Sequence, residues 1–345
     1  MKYEKKFLRK LYRCYAASST AVDGKTKILL ATEGEGPCYS YGGADYKESV
    51  VWDGPGGTMS MVRVPGKNGD FLAVQNFFPT FQSEKADIVW AKPEKDDKWT
   101  IKPILNLPYV HRFDILSANG VNYFLGSVLC NSKAFKDDWS DPGKVYAGTL
   151  PEDLNEKIEL KVIKEGLTKN HGYCRACLDD KMVGIVTSEE GAFVITPPQK
   201  EGDDWNTEQI LDRPIGDIAV VDIDEDGENE LVTIEPFHGN KFIINKKING
   251  EYKEIYSYPK KIDFGHVVWG GKLRGVPSII GGYRREEGEL FVIQCTDKKK
   301  LTFKAETIEA GIGPSNVAVI NGKDKDIIIS ANREIGEAAL YFVTD

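Results

Sequence analysis

The chain carries only four histidines in 345 residues, and their placement is not scattered. His111, His171 and His266 each open a short run of β-forming residues (HRFDILSA, HGYCRACL and HVVWGGKL), and His238 follows a fourth run in IEPFHGNK. Imidazole ligands favour Zn²⁺ or another transition ion such as Mn²⁺ or Fe²⁺ over Mg²⁺. Three protein nitrogens would leave a coordination position open, the layout of a catalytic site. Two other roles fit a histidine at such a position. It can hold the corner of a repeating unit by hydrogen bonds, or it can move a proton without a metal.

A second constellation is Asp222, Asp224, Asp226 and Glu230 in DIDEDGENE, spaced as oxygen ligands around a tight turn at Gly227. Hard carboxylate oxygens at that spacing suit Ca²⁺. An empty acidic hairpin is the alternative, because DEDG makes a good turn by itself. Polar residues also gather at the ends of other runs: Glu33, Gln75, Asn76, Glu189, Glu235, Arg284, Arg285, Asn332 and Arg333. The contexts GGYRREEGE and SANREIGE place arginines at matching points. A guanidinium fork suits a carboxylate or vicinal hydroxyls, although Glu286, Glu287, Glu334 and Glu337 stand close enough to pair with these arginines instead. Tyr109, Tyr173 and Tyr283 lie beside the histidines and arginines and could transfer a proton. Trp139, in the segment CNSKAFKDDWSDPG, can offer a face to a sugar or pack its own loop, whereas Trp52, Trp90, Trp99 and Trp269 read as core.

The elements that must position these groups are short strands. Runs of four to eight β-formers alternate with Gly/Asn/Asp turns throughout, and no segment keeps a helical apolar period, so the chain reads as all-β. Seven segments repeat one plan, with first strands beginning near Arg13, Gly57, His111, His171, Asp217, His266 and Asn316. The spacing matches a four-stranded propeller blade. The pattern predicts a seven-bladed β-propeller of four-stranded antiparallel blades, one domain over residues 1–345. The last repeat shows three strands, and residues 3–12 supply the fourth, closing the ring. In such a meander the start of strand one and the end of strand two share one end of the blade. All four histidines are therefore expected at one rim of the channel.

The blade containing AVVDIDEDGENELVTIEP resembles the FG-GAP/VCBS propeller repeat, a strand, an Asp-rich turn and a second strand. The layout with its histidine placement is similar to sugar-active propellers, such as the propeller domain of aldos-2-ulose dehydratase and some polysaccharide lyases. That resemblance implies a propeller fold and carbohydrate chemistry.

Composition removes other classes. The net charge of -8, with Lys298-Lys299-Lys300 the only basic run, argues against nucleic acid. Mean hydropathy is -0.36 and no apolar run approaches a membrane span. MKYEKKFLRKLYRCY lacks the apolar core of a signal peptide, which points to the cytoplasm. Six cysteines do not make a disulfide framework, and Cys174 and Cys177, on opposite faces of a strand, read as buried free thiols. No serine nucleophile elbow, P-loop or dinucleotide fingerprint occurs. Paired carboxylates among Glu33, Glu189 and Glu235 keep glycosidase chemistry open.

The sequence thus predicts a metal-dependent enzyme on a small carbohydrate or sugar acid: a lyase, dehydratase or isomerase. His111, His171, His266 and His238 would hold the ion. His238, Tyr173 or Tyr283 would take the proton, and Arg284, Arg333, Asn332, Glu235 and Trp139 would hold the substrate. The competing expectation is a non-catalytic propeller that binds a protein or glycan on the same face. Nothing in the sequence sets an oligomeric state.

Overall fold

The structure is a computed structural model that describes residues 1–200 and 203–345. It contains seven four-stranded antiparallel sheets, as the repeat predicts. Among the described residues the one helical turn is a 3-10 turn at Lys95–Asp97, and no helix is long and apolar enough to cross a membrane. The chain divides into two compact units, Tyr15–Arg213 and Met1–Cys14 with Pro214–Asp345.

Blades 1 to 4 form the first unit, with inner strands Cys14–Val22, Met61–Arg63, Val110–Ala118 and Gly172–Leu178. The 130–143 insertion falls between strands Val121–Val128 and Gly143–Thr149 of blade 3, where the sequence places it. Blades 5 to 7 form the second unit, with inner strands Asp217–Val221, Gly265–Leu273 and Pro314–Ile320. The N-terminal strand Lys2–Lys10 pairs antiparallel with Glu337–Thr344, from Lys2 opposite Thr344 to Lys10 opposite Glu337. It completes blade 7 as its outer strand, as expected.

The apolar pattern explains the order of strands within a blade. Second strands such as Phe71–Gln75 and Glu230–Glu235 are buried along their whole length, because both faces are covered. Outer strands such as Thr302–Glu309 alternate between covered and exposed residues, the mark of one wet face. Asn119-Gly120 and Asn249-Gly250 join strands with both residues at positive φ, the type I′ geometry that suits a right-twisted hairpin. Each unit has its own apolar clusters. In the second unit Phe291 stacks on Tyr258 at 3.9 Å and meets Phe242 edge-on at 5.2 Å.

Three inner strands carry a register shift at one residue near their start. The ladder skips His111 in blade 3, His266 in blade 6 and Ser315 in blade 7. A bulged residue leaves part of its backbone outside the ladder and bends the strand. These are the points at which candidate chemistry begins.

Because Lys2–Lys10 covers the edge of the buried strand Glu337–Thr344, deleting residues 1–10 exposes an apolar unpaired edge. The deletion should lower the thermal midpoint and produce oligomers in size-exclusion chromatography. A truncated chain that stays monomeric with the full-length melting curve would contradict this.

Candidate active site

At the bulges, side chains of one blade meet carbonyls of the next. In the first unit Arg112 Nη1 donates to Met59 O at 3.0 Å, Ser60 Oγ to His111 O at 3.1 Å, and His111 Nδ1 to His171 O at 3.3 Å. In the second, His266 Nδ1 donates to Ser315 O at 2.6 Å and Ser315 Oγ to Cys14 O at 3.1 Å. A carbonyl can only accept, so these bonds place the proton of His111 and of His266 on Nδ1. All three inner-strand histidines are buried.

The two tied histidines differ in what the other ring nitrogen does. His111 Nε2 lies 3.3 Å from the Tyr15 hydroxyl, so both nitrogens of His111 are engaged inside its unit. Its ring also sits 4.3 Å from His171 and edge-on to Phe77 at 5.4 Å. The sequence expects a ligand here; in the structure Tyr15 and the His171 carbonyl meet its two nitrogens. His266 is different: its Nδ1 bond turns the Nε2 lone pair to the opposite edge of the ring, and a ligand nitrogen of His238 lies within 4.8 Å of one on His266.

His238 belongs to an aromatic and cationic stack that the sequence only partly anticipates. Its ring lies 3.9 Å from Phe237, 4.1 Å from Phe264 and 5.3 Å from His266, all nearly parallel. Arg284 and Arg285 approach Phe264 at 4.4 and 4.8 Å. Phe264 adopts φ +62, a left-handed backbone that bulky residues rarely take, and Tyr109 and Lys169 do the same two residues before His111 and His171. Phe264 could have been found as the residue two before His266, but no residue type marks a left-handed corner unless it is Gly or Asn.

Arg284 and Arg333, expected to bind substrate, both meet Glu334. Arg284 Nη2 is 2.6 Å and Arg333 Nη1 3.0 Å from the same Oε1. Gly313 allows that convergence, since at φ +50 its absent Cβ would lie 2.3 Å from Glu334 Cγ. Two guanidinium groups on one carboxylate retain net positive charge for an anionic or polyhydroxylated ligand.

Other expected site residues are turned inward. Asn332 is fully buried, donates to Glu337 Oε1 at 2.9 Å and accepts from Ser330 Oγ at 2.6 Å. Glu235 accepts from Thr233 Oγ1 at 2.6 Å. Trp139 packs edge-on to Phe81 of blade 2 at 5.9 Å, with Lys133 Nζ of its own loop 3.2 Å from its ring centroid. Tyr173 donates to Asp114 Oδ2 at 2.9 Å beside the Arg175–Asp114 pair. Tyr283 and Tyr258 both donate to Glu289 Oε2 at 2.9 Å. Burial and the neighbouring carboxylate raise the pKa of Tyr173 and of Tyr283, which makes each a hydrogen-bond donor and a poor base. Asp114, Arg175 and Glu289 were not visible as partners because the pairs span strands with no fixed sequence spacing. Cys174 is half-buried and Cys177 exposed, contrary to the expected buried thiols; Cys177 shares its strand face with exposed Arg175.

The acidic turn of blade 5 does bring Asp222, Asp224 and Asp226 within 4.8 Å of one another. Lys246 Nζ, from the third strand, reaches Asp224 at 3.0 Å, Asp226 at 2.8 Å and Glu230 at 2.6 Å. A lysine thus already meets the oxygens that the sequence offers to calcium.

The Glu289 corner carries a pH dependence. Burial pushes its carboxyl pKa up, but Lys260 at 2.5 Å, both tyrosines and Thr307 outweigh burial and hold it below the ordinary value. A folded pKa below the unfolded one stabilises above the ordinary carboxylate range and is lost as pH falls through the folded value. Glu289→Gln should cost about 1–3 kcal/mol at neutral pH. In urea unfolding the gap to wild type should close as the pH drops below the carboxylate range, and a gap independent of pH would refute the assignment.

No protein-family model matches the chain, and no curated protein matches its sequence. Solved structures do match along nearly all of it. A candidate oxidoreductase (glucose dehydrogenase) from Thermus thermophilus aligns at 11% identity over 99% of this chain and 100% of its own, with a TM-score of 0.51. The PQQ-bound aldose sugar dehydrogenase of Streptomyces coelicolor aligns at 11% identity over 99% and 98%, TM-score 0.50. A luciferin-regenerating enzyme aligns at 12% over 100% and 96%, TM-score 0.51. At such identity the likeness is one of fold, and with the seven four-stranded sheets it makes the chain a seven-bladed β-propeller.

Proposed function

We propose that the protein is a cytoplasmic enzyme acting on a small sugar or sugar acid, with a divalent transition ion (Zn²⁺, Mn²⁺ or Fe²⁺) held by imidazoles. The observation that carries this reading is the pair His238 and His266, whose ligand nitrogens lie within 4.8 Å while a backbone carbonyl fixes His266 Nδ1. Carbonyl-capped imidazole is how proteins orient a metal ligand and fix its tautomer. His171 joins the proposed ligand set from its sequence position, and His111 does so only if it gives up a hydrogen bond. Sugar as substrate is supported by the dehydrogenases named among the structural neighbours. The six free cysteines suit a reducing compartment.

When bound, such an ion polarises a carbonyl or carboxylate and acidifies the neighbouring C–H. The chain's own residues would do the rest. With Tyr173 and Tyr283 tied to carboxylates, the proton falls to His238 if it is spared from ligation. Arg284 and Arg333 would exchange Glu334 for a substrate carboxylate or hydroxyl pair, with Phe264 holding His238 and Arg284 in place. Proton removal beside a carbonyl leads to elimination or isomerisation, hence a lyase, dehydratase or isomerase.

Protein purified without an affinity tag should hold, or take up, one equivalent of a transition ion by elemental analysis. His266→Ala should abolish that content; His238→Ala should abolish it if His238 is a ligand, or keep the ion and lose proton exchange if His238 is the base. His111→Ala should keep it and lose about 1–3 kcal/mol of stability, the cost of an orphaned buried partner. In D₂O the wild type should wash deuterium into the position next to the carbonyl of its sugar substrate. Absence of any stoichiometric ion after loading would favour the non-catalytic reading, a glycan- or protein-binding propeller, which the blade-tying bonds of His111 and His266 also suit. Oxidation of sugars with an artificial electron acceptor, without deuterium exchange, would instead replace proton transfer by dehydrogenation.

A further inference from the structure

The acidic turn of blade 5 has the spacing of a calcium loop, yet its oxygens are already spoken for. Lys246 stands on strand Lys241–Ile248, and its side chain is only 12% exposed. Its ammonium meets one oxygen each of Asp224, Asp226 and Glu230 at 2.6 to 3.0 Å, and the Asp224 and Glu230 side chains are 4% and 0% exposed. Backbone amides take much of what is left. Glu230 Oε2 accepts from Ile223 N at 2.9 Å, Asp222 from Asp226 N and Gly227 N at 3.1 Å each, and Asp226 Oδ1 from Glu228 N at 3.0 Å.

Calcium needs six to eight oxygens at roughly 2.3–2.6 Å around one point. Here that point is approached by a tethered positive charge that would repel a second cation and cannot diffuse away. Outside the turn, Glu225 is paired with Lys298 and lies 3.7 Å from Lys272, both of blade 6. The nearby carboxylate that could have joined a coordination sphere is therefore also neutralised by lysine.

We infer that Lys246 is the resident cation of this turn, so that the blade is held by a covalently attached ammonium and has no calcium requirement. The lysine ties the hairpin of the first two strands to the third strand, the mechanical task a bound ion would perform. Its removal should leave three carboxylates, Asp224, Asp226 and Glu230, without their ammonium beside Asp222, and turn the loop into one that needs calcium.

The test compares the full-length wild type with Lys246→Met, both stripped with EGTA and then titrated with calcium chloride alone, by calorimetry and thermal melting. The wild type should show no binding heat and no shift in melting midpoint even at calcium above the range of about 10⁻⁴–10⁻³ M in which weak carboxylate sites fill. Lys246→Met should melt lower in EGTA and regain midpoint as calcium is added, with one equivalent bound. A wild type that binds calcium stoichiometrically, or loses midpoint in EGTA, overturns the inference. So does a folded Lys246→Met that ignores calcium. The wild-type titration decides by itself should the variant fail to fold.

Discussion

The structure rests on a carbonyl that a bulge removes from its own sheet. When the ladder skips His111, His266 or Ser315, the strand loses a partner for backbone groups that are nevertheless buried. A buried carbonyl without a donor costs about 1–3 kcal/mol, and at two of these positions a side chain from elsewhere donates. The neighbouring blade supplies it: Ser60 for His111, and His266 for Ser315. Histidine meets this demand with one nitrogen and carries a second at the opposite edge of the ring. Blade-to-blade bonding and the candidate ligand set therefore meet on one residue type: His111 bonds Tyr15 through Nε2, and His266 lies within ligand distance of His238.

The same economy governs the ends of the second strands. Those strands are covered on both faces, so a polar residue at their end is drawn into the blade unless a rim partner holds it outward. Asn332, Glu235 and Tyr283 follow the first course and tie strands together. Arg284 and Arg333 follow the second: Glu334 pairs with both guanidinium groups, and Arg284 also lies over the face of Phe264. The candidate site in the second unit is thus smaller than the list of polar strand ends, and built from imidazole, guanidinium and aromatic faces.

The fold was readable because its signals are local and repeated. Turn residues, alternating outer strands and continuously apolar second strands recur in each blade, and the missing strand of blade 7 has its counterpart at the N-terminus. The histidines were readable because their scarcity made a shared position conspicuous. What could not be read were pairings across strands. Lys246 lies sixteen residues beyond Glu230, yet register carries it back to the turn, and Tyr283 meets Glu289 across a hairpin that looks like exposed charge in GGYRREEGE. The bulges were equally silent, since one skipped residue changes no composition and no period.

The account turns on the proton of His266 residing on Nδ1, where it satisfies Ser315 O and fixes the tautomer in which Nε2 carries the lone pair. With four histidines in the chain, selective ¹⁵N labelling gives four pairs of ring nitrogens, assigned by single substitutions and read by long-range ¹H–¹⁵N correlation. The prediction is a neutral His266 ring protonated on Nδ1 at neutral pH. A ring protonated on Nε2, or an imidazolium there, would contradict the central claim.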